Sequence, residues 1–217
     1  MTWTRGSADR TGAAMTRPPE PGRVRRFSRG ERWVHRGTAW LMIVCVVSAA
    51  CLYVPQFAEL VGRRALVVDV HKWSGLLLPL PFLLGLASRA FRTDLRLLNR
   101  YGAHDRRWLS AVRHRDPRAK TRWAGKFNAG QKVFAAWVGG AVLVMLGTGL
   151  VMWRTDLFPL LWRTSSTFVH DWLALALGLV LLGHIGLALR DPEARRGMRT
   201  GSVDPGWAER EHPLWRR

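Results

Sequence analysis

Four apolar stretches, each near twenty residues long, constrain this chain more than any other feature. They run over about Gly37–Pro55, Ala65–Ser88, Val133–Trp153 and Phe168–Leu189. Each reaches or approaches the ~20 residues that a helix needs to cross a ~30 Å hydrocarbon core. The expected fold class is therefore all-α integral membrane: a bundle of four transmembrane helices at about 37–55, 65–88, 133–153 and 167–189, within a domain spanning 29–190. The mean hydropathy of −0.05 hides these spans by averaging them with very basic connections.

The charge of +19 follows a pattern. About 29 of the 34 Lys and Arg fall in the first 36 residues, the loop 89–132 and the tail from Arg190. The two other connections hold only Arg63, Arg64, Arg154 and Arg163, with Lys72 near a helix end. Four crossings with both termini cytoplasmic put the basic segments inside, as the positive-inside rule requires. Topology then accounts for a charge that would otherwise suggest a nucleic-acid partner, and the expected partner surface is an anionic lipid membrane. Residues 1–28 are rich in Arg, Pro, Gly and Ser with no apolar core, and read as a disordered basic cytoplasmic extension. The loop contains an expected amphipathic surface helix within Phe91–Leu109, and 191–217 form a cytoplasmic tail. Pro79 and Pro81 should kink the second span.

Four of the seven histidines, His35, His71, His170 and His184, lie inside or at the mouths of the apolar stretches. Ionisable groups in a membrane are costly and signal function. Fourteen residues separate His170 from His184, about 21 Å along a helix and within about 40° of whole turns. One helix face thus presents two imidazoles at two depths. His35 shares the inner depth with His184, and His71 shares the outer depth with His170. Imidazole suits iron as an axial haem ligand, so each pair fits one bis-histidine haem: His35 and His184 on the inner iron, His71 and His170 on the outer. With no C-x-x-C-H, both are expected to be haem b. Proton relay in a haem-free transporter or assembly factor is the competing use of such histidines. Glycines such as Gly37 and Gly75 suit either macrocycle clearance or close helix packing. His104, His114 and His212 lie in basic segments and read as solvated surface, and Cys45 and Cys51 as packing residues.

Several motifs resemble the cytochrome b (gamma) subunit of membrane-bound formate dehydrogenases, a four-helix di-haem family. They are Glu31-Arg32-x-x-His35, His71-x-x-x-Gly75, the Lys-Phe-Asn-x-Gly-Gln-Lys run at 126–132, and His170 with His184. The tail Met198-x-x-Gly201-x-Val203-x-x-x-Trp207-Ala208, closing with His212-Pro213-x-Trp215, completes the match. The resemblance implies a membrane anchor in a bacterial plasma membrane. It would take electrons from an outer iron–sulfur subunit, itself fed by a molybdenum- or tungsten-containing catalytic subunit. Electrons would pass through two haems to a quinone, menaquinone or ubiquinone, reduced near the cytoplasmic face. Asn128 and Gly130 correspond by position to the quinone pocket. An asparagine can hydrogen-bond a quinone carbonyl, and a glycine lets the ring approach the backbone. Asn128 also suits the N-cap of the third helix. A hydrogenase cytochrome b or a free-standing di-haem cytochrome shares these expectations. Arg32 and Arg36, beside His35, are expected near haem propionates or lipid phosphates.

Overall fold

The computed structural model describes residues 22–116 and 121–215. Strand β1 is Val24–Arg25 and helix α1 Arg29–Tyr53, followed by the short α2, Pro55–Val61. The second span consists of α3, Arg64–Leu77, and α4, Leu80–Gly85. Two helices follow, α5 at Arg89–Asn99 and α6 at Ala103–Arg113. The last two spans are α7, Ala129–Trp153, and α8, Leu160–Arg190. The tail holds α9, Pro192–Thr200, β2, Ser202–Val203, and α10, Pro205–Glu211. Four helical segments, Arg29–Tyr53, Arg64–Gly85, Ala129–Trp153 and Leu160–Arg190, are long and apolar enough to cross a membrane.

The helices begin earlier than hydropathy alone suggests, because their caps lie outside the apolar runs. At α1, Ser28 Oγ accepts from the Glu31 amide at 3.2 Å, and the Glu31 carboxylate takes the Ser28 amide in return. Asn128 and Gln131 form the same reciprocal box at α7. Helix α8 starts directly after Pro159, whose φ suits a helix entry. The second span breaks between α3 and α4 at Leu78 and Pro79, as its prolines require. The amphipathic segment is two helices, α5 and α6, separated at Arg100–Gly102.

Helix α1 packs on α3 and α4, and α7 packs on α8. These two hairpins share one buried cluster, Met42, Leu78, Ala141 and Leu177, with one residue from each span. Outward faces are exposed and apolar, including Leu143, Leu179, Leu182 and Leu187, as lipid contact demands.

The three basic segments meet at one end. β1 pairs antiparallel with β2, Val24 opposite Val203. The amides of Arg26 and Phe27 both donate to the Gly201 carbonyl, at 2.8 and 3.0 Å. Gly201 has φ +95°, and a Cβ there would lie 2.7 Å from the Phe27 carbonyl oxygen, so this strand pairing needs glycine. Arg26 also donates to the Lys126 carbonyl at 2.8 Å and lies 4.9 Å from the Trp207 ring centre. Burial lowers its pKa to about 10. Residues 24–28 are thus docked structure, a correction to the expected extension; residues 1–21 lie outside the described residues.

His212 is also corrected. It is 5% exposed, its Nδ1 donates to the Gly125 carbonyl at 2.6 Å, and its ring packs on Trp207. Burial, then the charge of Arg26, pushes its pKa down to about 4. Hydropathy of the tail gave no sign of this, because the burial arises from three segments far apart in sequence. His114 is exposed and His104 half-exposed, both on the polar side of that end.

Candidate haem-binding site

Seven-residue steps organise the bundle interior. His170, Leu177 and His184 are seven apart on α8, and Phe134, Ala141 and Thr148 are seven apart on α7. His35 and Met42 repeat the step on α1, as do His71 and Leu78 across the α3 break. Two turns of helix rise about 10 Å. The buried cluster of Met42, Leu78, Ala141 and Leu177 is therefore an apolar layer midway between two histidine levels.

At one level, α3 and α8 bring His71 and His170 together. Their ring centres are 6.2 Å apart with the planes at 70°. Two imidazoles bound to one metal from opposite sides, with metal–nitrogen bonds of about 2 Å, would hold their ring centres about 6 Å apart. Each ring is held from behind: His71 Nδ1 lies 2.9 Å from Ser48 Oγ on α1, and His170 Nδ1 lies 2.9 Å from Thr148 Oγ1 on α7. Gly149 on α7 also borders His170, where a Cβ would make an ordinary contact of 3.5 Å with the imidazole Cε1.

His35 on α1 and His184 on α8 stand seven residues from Met42 and Leu177, on the other side of the apolar layer. His184 stacks on Phe134, with ring centres 4.5 Å apart at 13°. His35 is exposed, whereas the other three histidines are half-buried. Arg32 and Arg36 donate to the Arg199 carbonyl at 2.6 and 2.9 Å, joining α1 to the end of α9. Sequence reasoning expected anionic partners there and missed this tie.

The donor set fits haem in two respects. No group of three or more His, Cys, Asp or Glu gathers among the described residues, so the paired rings offer two donors. Two is the number that a porphyrin iron, already bound by four nitrogens, still accepts. Gly75, one turn beyond His71 on the same helix face, would meet no protein atom within 4 Å if it carried a Cβ, which leaves clearance for a flat ring.

The sequence model of the prokaryotic cytochrome b561 family matches residues 26–201, which takes in all four histidines. The chain belongs to this family. It is accordingly a membrane electron-transfer cytochrome of the b type. Among its relatives is the formate dehydrogenase cytochrome b556(fdo) subunit of Escherichia coli K12, 28% identical over 199 residues, or 88% of this chain and 91% of the relative. The formate dehydrogenase cytochrome b556 subunit of Haemophilus influenzae is 26% identical over 190 residues, 82% of this chain and 77% of that one. The nitrate-inducible cytochrome b556(Fdn) subunit of E. coli K12 is 32% identical over 96 residues, 43% and 44% of the two chains.

Beside the His184 level, the 126–132 run carries a connected set of buried charges. Lys126 Nζ donates to Asp94 at 2.6 Å and lies 3.7 Å from Glu31. Burial, then the hydrogen bond with Glu31, pushes the Asp94 pKa up to about 7. Lys132 is buried against Asp105 at 2.8 Å and donates to the Arg100 carbonyl at 2.9 Å. Asn128 Oδ1 caps α7 by accepting the Gln131 amide at 2.9 Å. Gly130 packs beneath Trp108, whose Cη2 would lie 2.7 Å from a Cβ.

Proposed function

We propose that this cytochrome is the membrane subunit of a formate-dehydrogenase-type complex in a bacterial plasma membrane. It carries electrons from an iron–sulfur partner at the outer face to a quinone reduced near the cytoplasmic face. The iron–sulfur partner receives them from a molybdenum- or tungsten-containing catalytic subunit. Two haem b groups are bound, one by His71 and His170, the other by His35 and His184. The observation that carries this reading is the facing of His71 and His170 from two different hairpins at 6.2 Å. The formate dehydrogenase names of the relatives support the choice of partners.

Haem iron supplies reversible one-electron transfer, and everything else is the work of the chain. The helices hold the two imidazole pairs about 21 Å apart by rise along α8. The layer of Met42, Leu78, Ala141 and Leu177 keeps the space between them dry. The gathering of three basic segments at one end supports a cytoplasmic placement of both termini and of the 126–132 run. There Asn128 serves two purposes with different atoms. Oδ1 is committed to the helix cap, while the amide N–H groups suit a quinone carbonyl. Gly130 lies in the same turn, where the space it leaves is filled by Trp108, and protons for the reduced quinone come from the cytoplasmic side.

The pairing is tested by single substitutions. His71→Ala and His170→Ala should each remove the same haem and spare the other, and His35→Ala and His184→Ala should each remove the second. Loss of one common haem by His35→Ala and His170→Ala would overturn the assignment.

A further inference from the structure

We infer that Ser48 and Thr148 are positioning residues that fix the tautomer of the outer imidazole pair and hold down the reduction potential of the haem bound there. The inference rests on the assignment of His71 and His170 as iron ligands. Its basis is an account of protons. A hydroxyl has one hydrogen to donate. Ser48 Oγ lies 2.6 Å from the Val44 carbonyl oxygen and 3.1 Å from that of Cys45. Thr148 Oγ1 lies 2.8 Å from the Val144 carbonyl oxygen and 3.2 Å from that of Met145. Carbonyls only accept, so each hydroxyl proton goes to its own helix, one turn back. Toward the imidazoles at 2.9 Å, both oxygens then act as acceptors.

Facing an acceptor oxygen, each Nδ1 carries the ring proton, which leaves Nε2 with its lone pair for iron. An N–H drawn toward an acceptor makes the opposite nitrogen a stronger donor, and stronger donation favours ferric over ferrous iron. The two hairpins build the same device separately: α1 supplies Ser48 to α3, and α7 supplies Thr148 to α8. The other level is built differently, with His184 stacked on Phe134. A lowered potential on the outer haem would favour electron flow inward.

The test uses the full-length protein in lipid nanodiscs, with Ser48→Ala, Thr148→Val and the conservative Thr148→Ser, each followed by optical redox titration. Both alanine-type and valine variants should keep two haems while one titrating component moves to higher potential and the other stays. Combining them should enlarge the shift, and Thr148→Ser should restore the unaltered curve. Unmoved components in variants that retain both haems would overturn the inference and leave the ligand assignment intact. Wild-type protein without haem, or a His71→Ala variant that keeps the shifted component, would instead remove the reading beneath it. If Ser48→Ala fails to fold, the Thr148→Val and Thr148→Ser pair decides alone.

Discussion

A histidine that refuses protons holds the tail in place. His212 is neutral in the folded protein down to about pH 4, whereas an exposed histidine titrates near 6.5. Between these values the released tail binds a proton that the docked tail does not. Docking therefore weakens as the pH falls from 6.5 towards 4. Hydrogen exchange of the amides in 202–212, corrected for intrinsic rates, should show lower protection at pH 5 than at pH 7. His212→Gln should abolish the difference, and equal protection at both values in the unaltered protein would contradict the account. Asn128 is the second residue of interest. Asn128→Ala should cost about 1 kcal/mol of helix capping. It should also lower quinone reduction while both haem spectra persist. Normal quinone turnover in that variant would leave only the cap.

At the scale of elements, α5 and α6 are fastened to the spans through buried charge. Lys132 and Asp105 are 5% and 1% exposed. Removing one partner strands the other in a dry site, which costs about 3–5 kcal/mol. Asp105→Ala should therefore lower the thermal midpoint sharply, and Lys132→Met with Asp105→Leu should recover much of the loss. A midpoint unchanged in Asp105→Ala would show that the pair is hydrated. The existence of the four spans was legible in the sequence because each is a long, predominantly apolar run. Their starts were less legible, since the Ser28–Glu31 and Asn128–Gln131 boxes are polar and precede the runs. Both boxes have the S/N-x-x-E/Q spacing, so the signal was present in the residues themselves. The β1–β2 pairing left no such trace, because two-residue strands 177 positions apart have no periodicity to read.

For the whole molecule, the histidine depths followed from helix rise alone, and the facing of His71 and His170 agrees with them. What the spacing could not reveal was which groups stand behind the rings. Ser48 and Thr148 are ordinary polar residues in apolar runs until the packing of α1 on α3 and α7 on α8 brings them to Nδ1. The tail was similarly opaque, since Val203, Trp207 and Ala208 pack with Ala194 and Trp215 of the tail and are closed over by Arg26 and β1 from the other end of the chain. The same convergence joins the three basic segments into one end, so charge, fold and proposed electron direction share a single polarity. The most direct test of the central claim is a pyridine haemochrome spectrum of the purified protein, expressed with ample haem and quantified for polypeptide. Two b-type haems per chain are predicted, and a protein that binds none would contradict the account.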